Sequence, residues 1–355
     1  MKRFHIFLSA ITVLIVTLSS CSKSSVNPTQ DGNWVYVGDF GGTSRTEAIS
    51  FVIGDKAYIG TGIDQLTTRY SDLWSFDPTS NSWYQVATAP ADFTPRNSAV
   101  AFAVAGMGYV GSGTDGYNYF SDFWQYDPTG NSWKKVASLG DANNGLTPRY
   151  NAVAFGLDKY GYGYVGTGND GRGNQLNDFW QYDPTADKWT ELPTYPGFKR
   201  EQAVAFTHSD KGYLVTGLGT GGAPVNDFVV LDPSNTTNPW STLRHISNYS
   251  PDSYDDGYTS IIRYNAVGFV MTGTTSDGGG DRAYITTGSA GSTTWAYNFA
   301  TDLWNQKTSY ERASRTGAVG FTVQNRGFVG LGGSGSTPFA NIDEWKPDET
   351  YNQQD

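Results

Sequence analysis

The sequence predicts an all-β protein built as a ring of six four-stranded blades, a β-propeller, and three observations carry that prediction. A pattern of Arg-x-x-Ala-(Val/Ile)-small-Phe occurs six times, opening at Arg45, Arg96, Arg149, Arg200, Arg263 and Arg315. Its intervals of 51, 53, 51, 63 and 52 residues suit a repeated unit of four short strands. All eleven tryptophans fall at fixed places within the repeat. Composition agrees: 43 glycines and 15% aromatic residues, against 16% charged ones, favour strands and tight turns over helices.

The chain begins with an expected leader. Lys2 and Arg3 precede an apolar run, Phe4 to Leu18, too short to span a bilayer comfortably, so residues 1–20 predict an export signal. The run ends Leu18-Ser19-Ser20-Cys21, which resembles a bacterial lipobox with Cys21 as the lipidated residue. The competing reading, a plain secretory signal, leaves the chain's single cysteine at that place without a role. Residues 21–33 are then a lipidated cysteine and polar tether, and residues 34–355 the propeller. The expected location is the bacterial cell envelope, on the periplasmic or surface side of an outer membrane, as a lipid-anchored monomer.

Each repeat then reads as four strands, A to D. Strand A follows the arginine. About a dozen residues on, strand B is a small-aromatic-aliphatic run such as Gly108-Tyr109-Val110, followed by the repeat glycines Gly62, Gly113, Gly168, Gly217, Gly288 and Gly332. Strand C, such as Asp122-Phe123-Trp124-Gln125-Tyr126, runs into an Asp-Pro turn whose proline presets the second turn position. Trp133 and its counterparts Trp34, Trp83, Trp189, Trp240 and Trp304 mark strand D. Tryptophans so placed predict packing between blades rather than an open stacking surface. The sixth repeat stops after Trp345 without a fourth strand, while Trp34 precedes the first arginine; the N-terminal strand is therefore expected to complete the last blade and close the ring.

These motifs resemble the kelch repeat family from Trp34 to Asp355, with the family's double glycine replaced by Gly-Thr-Gly or Gly-Ser-Gly in three blades, for example Gly166-Thr167-Gly168. The resemblance implies a meander with strand A at the axis. Antiparallel alternation then puts the arginines, the B–C loops and the D–A connections on one face, around the channel mouth.

Two readings of the arginine ring stay open. In the structural one, each guanidinium bonds loop carbonyls or a loop aspartate, with Asp64, Asp115 and Asp170 as candidates. In the functional one, Arg45, Arg96, Arg149, Arg200, Arg263 and Arg315 bind an anionic or polyhydroxylated ligand together with Tyr117, Tyr119, Tyr150 and Tyr264. The longest connection, from Ile246 to Ile262, holds Tyr249, Asp252, Tyr254, Asp255, Asp256 and Tyr258, and reads as a cap or a solvated loop before a cation site.

Several chemistries are excluded. The net charge of −10 disfavours nucleic acid. Gly111–Gly116 and Gly166–Gly171 match G-x-G-x-x-G, yet neither leads into a helix, so neither predicts a dinucleotide site. His208 and His245 fall towards opposite faces, which argues against a shared metal, and no metal or cofactor is expected. With Cys21 taken by the lipobox, the chemistry of the kelch-like copper radical oxidases is unavailable. The expected function is an anchored binding protein that recognises a glycan or a protein. The family resemblance also includes exported sialate epimerases and so implies an alternative, an epimerase or mutarotase of an acidic sugar. Acid–base work would then fall to Glu47, Glu201, His245 or a loop aspartate, with only Glu47 sharing its arginine's side of the strand.

Overall fold

In blades 1 to 5 strand A starts four residues after the arginine, where the alternation of Ala-(Val/Ile)-small-Phe first lets one side face a neighbouring blade; in blade 6 it starts directly after Arg315. The computed structural model describes residues 31–141, 145–247, 257–258 and 260–354. The leader, Cys21 and most of the expected tether lie outside them. Blade 1 comprises strands Ile49–Ile53, Lys56–Gly60, Leu73–Asp77 and Ser82–Gln85 in antiparallel order A to D. Blades 2 to 5 repeat this order, beginning at Val100, Val153, Val204 and Val267. The A strands contact one another around the axis.

Closure follows the sequence expectation. Blade 6 takes strands A to C from Thr316–Val323, Arg326–Ser334 and Asn341–Thr350, and strand D from Asp31–Asp39 at the other end of the chain. Trp34 lies opposite Trp345, with their rings 4.9 Å apart. The strand begins earlier than the expected boundary at Trp34: Asn33 is 1% exposed and its side-chain oxygen accepts the Asn352 amide at 3.0 Å. Residues 31–33 therefore belong to the propeller rather than the tether.

The apolar residues form six clusters, and each joins two adjacent blades. One unites Ile59 and Phe76 of blade 1 with Phe321 and Phe328 of blade 6; another unites Phe102 of blade 2 with Trp180 and Trp189 of blade 3. The repeat phenylalanine stacks on the strand-B aromatic of its own blade at 5.0–5.4 Å in every blade. Its edge then meets the small residue of the next strand B. A Cβ at Gly163 would stand 2.0 Å from Phe102, so the small-aromatic-aliphatic pattern is a steric demand of the neighbouring blade.

A ring of backbone hydrogen bonds reinforces these contacts. The N–H groups of Gly62, Gly113, Gly168, Gly217 and Gly288 donate to the next blade's arginine carbonyl at 2.8 Å, and Gly332 donates to Arg45 at 3.1 Å. All six glycines have φ between +73° and +113°. At Gly62 a Cβ would also fall 2.8 Å from the Thr46 carbonyl, so the turn requires glycine twice over.

Because Trp34 is 2% exposed inside the seam, Trp34→Ala should cost about 3–5 kcal/mol. Tyr36, on the same strand and 45% exposed, should cost under about 1 kcal/mol on truncation to alanine. Denaturant unfolding of both variants checks this. Equal losses would mean that the N-terminal strand does not seal the last interface.

Candidate functional site

The six repeat arginines are not an open ring. Their side chains are 0–2% exposed, and each makes the same two local bonds. Nε donates to the carbonyl two residues earlier, as from Arg96 to Thr94 at 2.8 Å. One terminal nitrogen donates to the carbonyl just before the repeat glycine, as from Arg96 to Ser112 at 3.0 Å. The guanidinium of blades 1 to 4 then pairs with the aspartate that opens strand C: Arg45 with Asp72 at 2.5 Å, Arg96 with Asp122 at 2.6 Å, Arg149 with Asp178 at 2.6 Å, and Arg200 with Asp227. In blades 1 to 3 the strand-C tryptophan donates its indole N–H to the same carboxylate. Burial pushes the carboxyls of Asp122 and Asp178 up, but the arginine hydrogen bond and charge outweigh it and leave both below the usual carboxylate range.

Blades 5 and 6 depart from this pattern. Thr293 and Asn341 replace the aspartate. Among the described residues Arg263 is held by neutral oxygens, from Ser260, Ile261, Thr287 and Thr293, and burial lowers it to about 9. Arg315 reaches the Asn341 side chain at 3.1 Å. All six cations thus hold their blades together, and the expectation that they bind ligand is corrected for a geometric reason: each points into its own blade. The expected acids are corrected as well. Asp64, Asp115 and Asp170 cap their own loops, accepting for example the amides of Leu66, Tyr117 and Arg172.

What lines the mouth is the residue two after each arginine. Glu47, Ser98, Asn151, Gln202 and Asn265 have φ of +53° to +55°, and Gly317 completes the set at +63°. Each N–H donates to the carbonyl of the equivalent residue in the preceding blade at 2.8–3.4 Å, with Glu47 donating to Gly317, so the bonds form a closed collar. Collar residues and the following alanines enclose a cavity of ≈ 120 Å³. This left-handed residue interrupts the alternation assumed from the sequence, and Glu201, one residue before it in blade 4, accepts from the collar residue Asn151 of blade 3, so Glu47 is not the only acid that touches the collar.

Above the collar, the B–C loops of blades 1 to 3 each reach over the next blade to the residue directly after its arginine. Arg69 donates from Nε to the Asn97 side chain at 2.5 Å. Tyr119 stacks on Tyr150 at 5.1 Å. Gln175 donates to Glu201 at 3.0 Å. The two carboxylates are tied into this layer differently. Glu47 receives Asn97 and Ser98 on one oxygen, both at 2.5 Å, and its other oxygen has no partner among the described residues. Glu201, 7% exposed, receives Asn151 on one oxygen and Asn169 and Gln175 on the other. Burial, followed by the charges of Glu201, Tyr119 and Glu47, raises the Tyr150 hydroxyl above its ordinary value.

The remaining sequence candidates divide. Tyr119 and Tyr150 meet at the mouth. Tyr117 is 91% exposed at its loop tip, and the Tyr264 amide is held by Ser289 away from the stacked pair. Tyr258 is buried in the cluster between blades 4 and 5, where its hydroxyl accepts the Trp304 amide, so this part of the insertion is core rather than cap. Tyr249, Asp252, Tyr254, Asp255 and Asp256 lie outside the described residues, as does Cys21. His208 pairs with Asp281 at 2.8 Å and stacks on Phe299, far along its strand from the mouth. Arg69, Asn97, Ser98, Asn151, Asn169, Gln175 and Gln202 were not singled out from the sequence. Arg69 and Gln175 stand five residues after Asp64 and Asp170 but Tyr119 four after Asp115, so their equivalence shows in the structure, where each bridges the residue before its aspartate, and not in the spacing.

Comparison with known proteins gives the same architecture. A kelch-repeats domain model of the KLHDC2/KLHL20/DRC7 type matches residues 29–163, and a Kelch motif model matches residues 163–194. The N-acetylneuraminate epimerases of Escherichia coli K12 and Shigella boydii serotype 4 are each 24% identical over 238 residues, 65% of this chain. The alignment spans only 57% of those relatives' own length. The solved structure of YjhT superposes with a TM-score of 0.65 at 16% identity, covering 86% of this chain and 96% of that one, a likeness of fold.

With the arginines paired, Arg96→Met should leave the Asp122 carboxylate without its cation and cost about 3 kcal/mol at neutral pH. A carboxyl lowered in the folded state contributes stability that is present above its unfolded value and is lost as pH falls through the folded one. The difference in melting temperature between wild type and Arg96→Met should therefore narrow below about pH 4. A difference unchanged down to pH 3 would show that the pair contributes nothing.

Proposed function

We propose that this kelch-repeat β-propeller is a carbohydrate-binding protein of the bacterial cell envelope, anchored through a lipidated Cys21, with its sugar site over the channel mouth of blades 1 to 4. The observation that carries the reading is the Tyr119–Tyr150 stack set among the Glu47 and Glu201 networks. Aromatic rings offer flat apolar surface to the C–H face of a pyranose, while amides and carboxylates answer its hydroxyls. The collar places those polar groups on backbone rather than on mobile loops, which lowers the ordering cost of binding. The relatives named N-acetylneuraminate epimerase support a sugar as ligand, within the limits of 24% identity over part of their length.

A second reading, epimerase or mutarotase of an acidic sugar, is favoured by the oxygen of Glu47 that has no partner among the described residues. Ring opening needs a base to take the anomeric hydroxyl proton and a donor for the ring oxygen. Glu47 is the base in this reading. Tyr150 is the donor, since its raised hydroxyl stays protonated at neutral pH.

Calorimetric titration and a glycan array test the first reading: Tyr119→Ala and Tyr150→Ala should each weaken binding by about tenfold, the loss of about 1.4 kcal/mol of stacking. A protein that binds no glycan, or alanine variants that bind as well as wild type, would end it. For the second reading, exchange NMR of N-acetylneuraminate anomers should show acceleration that Glu47→Gln removes while binding persists. The anchor is tested by detergent partitioning, where Cys21→Ala should no longer enter the detergent phase.

A further inference from the structure

We infer that Arg69 makes the blade 1–2 corner of the mouth an oxyanion subsite, so that the sugar bound there carries a carboxylate or a sulfate ester. This rests on the carbohydrate reading above and narrows it.

The six repeat arginines are sealed inside blades, and Arg244, Arg312 and Arg326 pair with Asp302, Asp343 and Glu344. Arg69 differs from all of them. It is half-buried, its Nε is fixed by Asn97 at 2.5 Å, and its two terminal nitrogens donate to nothing among the described residues. Its position is built rather than incidental. The guanidinium lies across Gly116 of the neighbouring loop, where φ is +93° and a Cβ would stand 2.5 Å from a terminal nitrogen. Glycine there leaves the space the guanidinium occupies. Arg172, on the equivalent loop of blade 3, is an exposed cation beside Asp170 with no comparable seat.

Asn97 joins this cation to the acid beside it. Its carbonyl oxygen accepts from Arg69 while its amide nitrogen donates to Glu47. The Asn97 side chain is therefore oriented by both neighbours, and it links a cation with open donors to a carboxylate with an open oxygen. A guanidinium with both terminal nitrogens open presents the planar fork that matches the paired oxygens of a carboxylate or sulfate. The open oxygen of Glu47 is an acceptor for a hydroxyl on the same ligand. A neutral sugar satisfies the acceptor and leaves the fork unmatched. An anionic sugar satisfies both. Asp115 contributes charge near Arg69 but makes no ion pair with it, since its carboxylate is engaged by the Tyr117 and Asn118 amides and the Asn118 side chain.

The test is calorimetric titration of the intact protein with matched probes: glucuronate and N-acetylneuraminate beside their methyl esters, and glucose 6-sulfate beside glucose. Wild type should bind the anionic member of a pair at least about tenfold more tightly, with a preference that shrinks in high salt. Preference within the ester pairs alone identifies a carboxylate ligand, and within the sulfate pair alone a sulfate ester. Arg69→Gln should remove the preference while binding of the neutral member and the melting temperature stay as in wild type, and Arg69→Lys should restore part of it. The wild-type preference is read without any variant, so a misfolded Arg69→Gln does not decide the matter. Equal binding of anionic and neutral members by wild type overturns the oxyanion subsite and leaves the carbohydrate reading standing. Binding of no sugar at all overturns both.

Discussion

Each blade buries its apolar surface against the next blade and not within itself, and the rest of the molecule follows from that constraint. Six clusters bridge six interfaces, so an open ring would leave two apolar faces in water. The chain answers with the first strand, Asp31–Asp39, which supplies strand D of the last blade and places Trp34 against Trp345, Phe269 and Tyr310. The repeat phenylalanine, the small residue it meets in the next strand B, and the glycine that bonds the next arginine carbonyl all serve these same interfaces. What looks like a motif within one repeat is a contact between two.

The arginines illustrate how a buried charge is kept tolerable. Desolvation of a guanidinium is costly, and a buried pair stabilises only when the remaining donors are also satisfied. In blades 1 to 4 carbonyls take the donors that the aspartate leaves, and in blades 1 to 3 the strand-C indole braces the carboxylate from its other side. Blade 5 keeps the cation and drops the acid, covering Arg263 with backbone and threonine oxygens, several of them from residues 260–261 beside the long insertion. The arginine thus orders the start of strand A even where no acid is present. A residue so committed to the scaffold is not available for recognition.

The side chains gathered at the mouth instead occupy positions that the scaffold repeats but does not constrain. The residue after the arginine, the collar residue and the reaching residue of the B–C loop have fixed backbone places in successive blades. Their side chains vary: Arg69 on Asn97, Tyr119 on Tyr150, Gln175 on Glu201. A symmetric backbone thereby carries an asymmetric set of a cation, an aromatic pair and two carboxylates around one axis. Blades 1 to 4 hold this set, and the collar under it is tied by six inter-blade hydrogen bonds.

The amino-acid sequence by itself determined the class of fold, the number of blades, the strand that closes the ring and the face on which loops and arginines gather. Those features depend on periodicity, and periodicity survives in one dimension: six Arg-x-x-Ala patterns, eleven tryptophans that fit the repeat, and a last repeat one strand short with a spare strand before the first. Which way a side chain points was decided only by the tertiary structure. The arginines turn inward because Asp72, Asp122, Asp178 and Asp227 stand at the start of strand C, some 26–29 residues away, where no local rule couples them. Glu201 meets the collar because its partner Asn151 comes from the preceding blade, 50 residues away. Arg69 lies beside Asn97 and Glu47 because three separate segments, from two blades, converge at one corner. Such convergence is a property of the closed ring, and a linear repeat does not encode it.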